Sequence, residues 1–314
     1  MADLDIVIVN WNAGKKLVEC LDSIRHSNAD PLYQLAKCIV VDNASTDDSL
    51  SNIKDMDLPL LLIVNSKNKG FGFASNQGAK CGRGDYILFL NPDVRLFPDS
   101  LSKSLSFMDA DDDRQIGVLG IQMIDQNGAI HRNVARFPSP KSFFYQMLGI
   151  DRVWPRRFPP HFMTDWDHLD SRVVDQLPGS YLLMRRSLFE QLDGFDERFF
   201  MYFEDLDLAY RARMAGWASY YLSSVRAFHY GGGTTNQVKA LRLFYVLCSR
   251  LYYAAKHFGY RHALWIMIAS LTIEVWVRLG WSLINLSARN FVETLQAYLL
   301  YLRELPVLLS KIKK

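Results

Sequence analysis

Asp5-Ile6-Val7-Ile8-Val9-Asn10-Trp11-Asn12-Ala13-Gly14 carries a β-branched run straight into a polar loop, and Leu17, Val18, Leu21 and Ile24 then recur at helical spacing. The order is strand, loop, helix, and it returns along the chain. Cys38-Ile39-Val40-Val41 leads into Asp42-Asn43-Ala44-Ser45-Thr46-Asp47-Asp48, whose Ser, Thr and Asp side chains suit the start of another helix. Leu60 to Val64 reads as a third strand, followed by the Gly- and Asn-rich stretch 65–78, and Tyr86 to Leu90 as a fourth, ending at Asn91-Pro92-Asp93. Near-continuously apolar strands alternating with helices predict an α/β fold with a mainly parallel sheet covered on both faces. In such sheets ligands sit at the carboxyl ends of the strands, where these polar loops fall.

From about Arg132 to Pro178 the character changes: Pro138, Pro140, Pro155, Pro159 and Pro160 interrupt a stretch that holds Arg152, Arg156 and Arg157 among aromatic residues, and it reads as a long, partly ordered loop. Regular structure resumes with Tyr181 to Met184, a helix over Ser187 to Leu192 and the segment Met201 to Gly216. Beyond the glycines Gly231 to Gly233 the chain reads as helical, with Val238, Leu241, Phe244, Tyr245, Cys248, Leu251, Tyr252 and Ala255 in rhythm and Gly259 as a stop. The very apolar stretch Ala263 to Leu286 is interrupted by Glu274 and Arg278, and its uncharged run is well short of the roughly 20 residues of a spanning helix. Those two charges stand four apart and are expected to pair, with Trp265, Trp276 and Trp281 as interfacial anchors. The alternative is a helix buried in the core or in an oligomer such as a homodimer.

The chain has 314 residues, enough for one large α/β domain with an appendage, and a net charge of +3 that excludes the strongly basic face of a nucleic-acid binder. Its 7 Trp, 15 Tyr and 19 Phe are plentiful, and aromatic side chains stack on sugars and bases as well as anchoring at membranes. Four widely separated cysteines without CxxC spacing indicate neither a zinc site nor a disulfide framework, which suits a reducing cytoplasm. The start of the chain, Met1-Ala2-Asp3-Leu4-Asp5, lacks the pattern of a secretion signal.

Three constellations carry chemistry. Asp93, at a rigid strand end, is a candidate ligand for Mg²⁺ or Mn²⁺ bridging the phosphates of a nucleotide diphosphate, although Asn-Pro-Asp also suits a plain turn. Glu204-Asp205-Leu206-Asp207 follows the aromatic run Phe199 to Phe203; carboxylates there are expected to be partly desolvated and raised toward the range of a general base, while Asp207 and Arg211 are spaced to pair. His229 precedes the glycines 231–233, a setting that can approach a metal or phosphates. Gly70-Phe71-Gly72-Phe73-Ala74-Ser75 lacks the last glycine of a dinucleotide fingerprint, and no Walker A sequence occurs.

Taken in order, IVIVNWN (6–12), VVDNASTDDS (40–49), NKGFGFASNQG (68–78), GDYILFLNPD (84–93), GSYLLMRR (179–186), GFDERFFMYFEDLDLAYRARMAGW (194–217) and the His229 segment resemble the family-2 inverting glycosyltransferases, and within them the rhamnosyltransferase-like branch, over roughly residues 5–258. The resemblance implies the GT-A nucleotide-diphospho-sugar transferase fold over 1–233, with a nucleotide-sugar half of about 1–130 and an acceptor half of about 131–233, and a C-terminal helical, membrane-interface region over 234–314.

It also implies roles. Asp42 matches the position that bonds the pyrimidine base, with Asn10 and Asn12 lining the nucleoside pocket. Asn68 and Asn76 match positions near the nucleotide and the sugar. Asp93 matches the last carboxylate of the DxD metal motif, whose first Asp is replaced here by Asn91. Asp205 matches the catalytic base, Glu204 helps to place it, His229 matches a further metal ligand, and Arg250 matches a basic residue near the diphosphate. No QxxRW motif follows residue 217, so addition of one or a few sugars is expected rather than polymerisation. The implied donor is dTDP-rhamnose or a UDP-hexose, the implied acceptor a lipid-linked saccharide in surface polysaccharide assembly, and the implied location the inner face of the cell membrane. Two other readings stay open: a sugar-phosphate nucleotidyltransferase, whose Arg-containing glycine loop is missing here, and an inactive scaffold, which Asn91 favours.

Overall fold

The structure, a computed structural model, describes residues 2–27, 33–51, 53, 56–110, 115–231 and 239–313. The described residues form two compact units by their contacts: one of 1–135, 166–197 and 204–234, the other of 136–165, 198–203 and 235–314. The second unit thus groups 136–165 and 198–203 with the C-terminal helices.

In the first unit the strands are β1 (Ala2–Asn10), β2 (Tyr33–Asp42), β3 (Leu60–Val64), β4 (Tyr86–Leu90), β5 (Val94–Leu96), β6 (Ile116–Ile124), β7 (Arg172–Val174), β8 (Tyr181–Arg185) and β9 (Ala218–His229), and the helices α1 (Lys15–Ser27), α2 (Phe71–Ala79) and α3 (Ser100–Asp109), with α6 (Arg186–Gln191) and α7 (Glu204–Met214) further on. The sheet order is β3-β2-β1-β4-β8-β6-β9-β5, with β7 on β9. The block β3-β2-β1-β4 is all parallel, as its unbroken apolar runs require. Beyond β4 the sheet is mixed: β8 runs antiparallel to β4 and β6, while β6 and β9 are parallel.

One sheet face buries Leu4, Ile6, Ile8, Val40, Leu88 and Leu90 against Leu17, Leu21 and Ile24 of α1. On the other face α2 comes as close as a helix without a side chain allows: a Cβ on Gly78 would meet Val7 at 2.5 Å and Val41 at 3.2 Å. The helix expected after β2 is not formed in the described residues 43–51. The polar side chains there bond their own loop instead: Ser45 N–H donates to Asp42 at 3.0 Å, and the Ser49 hydroxyl to Asp47 at 2.6 Å.

The second unit holds α4 (Pro140–Leu148), α5 (Ile150–Val153), α8 (Lys239–Phe258), α9 (Tyr260–Ala269), a π turn over Ser270–Glu274, α10 (Val275–Ile284) and α11 (Ala288–Ile312). The proline-rich segment is therefore no loop throughout. Ser139 caps α4 in a reciprocal box with Ser142, Pro140 occupies its first turn, and Gly149, at φ 68°, ends it. Phe143 packs its ring against Phe203, Tyr253 and Phe258, and Phe144 against Trp265.

Glu274 and Arg278 pair at 2.8 Å, as their spacing predicts, and Glu274 also binds Arg250 from α8. The run Tyr260–Ile284 is, among the described residues, the one helix long and apolar enough to cross a membrane by length and composition, and a third of its most apolar window (33%) is buried. Trp265, Trp276 and Trp281 stand exposed on it.

Candidate active site

The sheet gathers the expected residues at one end. Asn10 and Asp42 close β1 and β2 and are register partners. Asn91 follows β4, and its N–H donates to the carbonyl of Ser180 at 3.0 Å, because antiparallel β8 starts where β4 ends. Gly179, one residue before Ser180, donates its N–H to the Asp205 carboxylate at 3.3 Å. Val94 pairs with His229, so Asp93 lies beside the end of β9, and its carboxylate stands 3.3 Å from His229 Nε2. Asp93 thus follows β4, while the Asp205 carboxylate is bonded just ahead of β8, the strand paired with β4.

The acidic pair opens α7. Tyr202 and Phe203, just before it, adopt left-handed φ values of 66° and 68°, a conformation that side chains of this size rarely accept outside functional segments. Glu204 is buried, and its Oε2 has no partner within the described protein. Burial, then the adjacent Asp205 charge, pushes the Glu204 carboxyl well above its ordinary value. Burial raises Asp205 as well, but N–H groups of Leu206 (2.8 Å) and Gly179 and the Gln176 side chain favour its charged form and limit that rise. Two such neighbours do not both ionise readily, and the donors favour the charge on Asp205 over Glu204. Asp207 is buried and pairs with Arg211 at 2.7 Å, as expected.

At Asp93 burial works upward, yet the hydrogen bond and charge of His229, followed by the charge of Lys16, outweigh it and hold the carboxyl below its usual value. The separation of 3.3 Å between Asp93 and His229 Nε2 comes within a few tenths of the roughly 3 Å between neighbouring ligands of an octahedral ion with ~2.1 Å bonds. One carboxylate and one imidazole would suit a hard divalent ion, which would supply positive charge there. No cage of three or more His, Cys, Asp or Glu exists among the described residues. The glycine run after Gly231 lies outside the described residues.

In the nucleoside region the Asn10 amide donates to Asp42 (2.7 Å), Ser49 (2.8 Å) and Ser45 (3.1 Å). Asn12, at φ 51°, accepts the Thr46 N–H at 2.8 Å, and Asn68 accepts that of Gly70 at 2.9 Å. Asn10 Oδ1, Ser180 Oγ, Glu204 Oε2 and His229 Nδ1 are among the buried atoms without a partner in the described residues.

Two expected residues have other occupations. Asn76 clamps the turn before Asp196, accepting the Phe195 N–H at 2.8 Å and donating to the Phe195 carbonyl at 2.8 Å, so its amide faces protein and not a sugar. Arg250 is buried within the helical unit with Glu274 and Ser270 as partners, so its charge is already answered and the diphosphate role is withdrawn. Two residues near the site had no signal in the sequence. Gln176 reaches Asp205, and the His131 ring lies 5.4 Å from that of His229, with burial and then the His229 charge lowering its pKa.

Residues 5–193 match the model of glycosyl transferase family 2. Over 287 residues the chain is 30% identical to the N-acetylglucosaminyl-diphospho-decaprenol L-rhamnosyltransferase of Mycobacterium tuberculosis H37Rv, covering 86% of this chain and 91% of that protein. It is 33% identical over 149 residues to rhamnosyltransferase WbbL of Escherichia coli K12, covering 46% and 52%. Among solved structures, mannosyltransferase PcManGT of Pyrobaculum calidifontis in complex with GDP-Man and Mn²⁺ is similar at a TM-score of 0.56 and 14% identity, over 96% of this chain and 89% of that one. TarS of S. aureus with UDP gives 0.51 at 18% identity, over 99% and 87%. These structural likenesses speak for the fold, which is GT-A. The fold being GT-A, and a family model and a relative matched along most of both chains agreeing, the chain belongs to glycosyl transferase family 2, as a transferase of the rhamnosyltransferase-like branch.

Proposed function

We propose that this enzyme is an inverting, non-processive rhamnosyltransferase, moving L-rhamnose from dTDP-rhamnose to a hydroxyl of a saccharide carried on a lipid diphosphate, at the cytoplasmic face of the membrane, in surface polysaccharide assembly. The observation that carries the reading is the carboxylate pair Glu204-Asp205 beside Gly179, one strand end from Asp93 and His229. Donor and acceptor rest on the rhamnosyltransferase relatives, one of them matched along nearly its whole length and described by its name as acting on an N-acetylglucosaminyl-diphospho-decaprenol.

In this reading Asn10, Asn12 and Asp42 hold the nucleoside, and Asn68 and Asn91 flank the nucleotide. A divalent ion, Mn²⁺ or Mg²⁺, when held by Asp93 and His229, supplies positive charge to the donor diphosphate. Asp205 takes the proton of the acceptor hydroxyl as its oxygen bonds to the anomeric carbon from the face opposite the leaving group. The bond from that carbon to the phosphate oxygen breaks, and its electron pair leaves with the diphosphate. Glu204, holding its proton, keeps a second charge away from the base.

The test is the purified enzyme with Mn²⁺, a polyprenyl-diphospho-N-acetylglucosamine acceptor and a panel of dTDP-rhamnose, UDP-glucose and UDP-N-acetylglucosamine. Expected are turnover of dTDP-rhamnose with inverted anomeric configuration, and a loss of about 10²–10⁴-fold in kcat for Asp205→Asn with donor affinity kept. Retained configuration, or unchanged turnover by Asp205→Asn, overturns the mechanism; turnover of a UDP-hexose alone overturns the donor.

A further inference from the structure

A departing nucleoside diphosphate carries more negative charge than a single divalent ion cancels, and Arg250 does not supply the remainder. Several other arginines of the sheet unit are held by carboxylates or carbonyls, while Arg95 stacks on Phe228. Arg211 holds Asp207 and the Leu192 and Gly194 carbonyls, Arg186 holds Asp5, and Arg185 holds the Ile116 and Met108 carbonyls. Lys16 differs. It sits half-buried in the first turn of α1, the helix that follows the Asn10-Asn12 loop, and among the described residues it makes no salt bridge.

Its ammonium lies over the Tyr230 ring, 4.9 Å from the centroid. That ring is fixed at both ends: the Tyr230 N–H donates to the Asp93 carbonyl at 3.1 Å, and the hydroxyl donates to Glu19 at 2.7 Å. Lys16 thus rests on the residue that follows His229 and whose N–H bonds the Asp93 carbonyl. An aromatic face attracts a cation without neutralising it, so the charge stays available to an anion.

We propose that Lys16, laid on Tyr230 beside Asp93, is the cation that binds the diphosphate of the donor and takes up charge on the phosphate oxygen as the bond to the sugar breaks. This deepens the proposed function and rests on it.

The experiment is calorimetric titration of dTDP, UDP and thymidine, with Mn²⁺, into wild type and the Lys16→Ala, Lys16→Arg, Asp93→Asn and Arg95→Ala proteins. Arg95 is the control, because its guanidinium stacks 4.3 Å over Phe228 and also reaches Tyr230, at 5.6 Å. Lys16→Ala is expected to weaken the diphosphates roughly 10- to 100-fold, the range of a charged hydrogen bond, while thymidine changes less than about twofold and Lys16→Arg restores most of the affinity. Equal loss for thymidine and dTDP, no loss for dTDP, or a selective loss in Arg95→Ala in place of Lys16→Ala overturns the assignment. If Asp93→Asn weakens dTDP and Lys16→Ala does not, the function stands and Lys16 falls. If wild type binds neither diphosphate, both fall.

Discussion

Neighbouring carboxyls in a desolvated pocket divide one charge between them, and the division here follows the hydrogen-bond donors. Asp205 has backbone N–H groups and Gln176, whereas Glu204 has burial and a like neighbour. The proposed reaction needs Asp205 without its proton, and burial lifts its pKa, so activity is expected to fall as pH drops through a value above the ~3.9 of an ordinary Asp. The acid limb of kcat/KM against pH should therefore lie clearly above pH ~4; a rate flat down to that pH would contradict the assignment. At this scale the sequence was legible where partners are near in the chain. Asp207 and Arg211 are one helical turn apart and pair as read. Asn76 and Arg250 misled because their partners, Phe195 and Glu274, are brought to them by the fold, and nothing in a local pattern announces that an amide or a guanidinium is already occupied.

Among the elements, β3 and β4 were readable to the residue because five apolar residues bounded by polar ones leave little else. The segment around α4 was read as a loop because its prolines were taken as breakers, yet Ser139-Pro140 with Ser142 is a helix start, in which proline fits the first turn. The buried pair Arg250–Glu274, with half-buried Arg278 beside it, ties α8 to the long apolar helix. Burial works against the Glu274 charge, but the two arginines prevail and bring its pKa down to about 2. A carboxyl depressed on folding stabilises fully above its unfolded pKa, here ~4.5, and loses that contribution as pH falls toward 2. Glu274→Gln should remove this acid-range slope and destabilise the protein by about 3–5 kcal/mol at neutral pH by leaving Arg250 buried without an anion, measurable by urea melts at several pH values. A loss under ~1 kcal/mol would mean that the pair is dispensable.

Across the whole chain, hydrophobic surface is unevenly shared. Trp276 is 69% exposed, Trp281 58% and Ile284 75%, all on α10, with Arg289 and Lys311 following in α11. Apolar anchors beside cations suit a surface of anionic lipid. Cosedimentation with phosphatidylglycerol vesicles should fall several-fold for Trp276→Ser/Trp281→Ser while soluble-substrate binding persists, and equal sedimentation of both proteins would remove the membrane from the account. The sequence conveyed the sheet and the helical end as separate blocks, but not the weaving of 136–165 into the helices, because Phe143 and Phe144 find their partners about a hundred residues onward, at Tyr253, Phe258 and Trp265.

That weaving makes the C-terminal helices inseparable from the middle of the chain. A gene shortened after codon 233 would not yield a tidy catalytic half: it would strip the neighbours from Phe143 and Phe144, leave greasy rings in water, and turn an apparent trimming of a tail into the loss of half a hydrophobic interior.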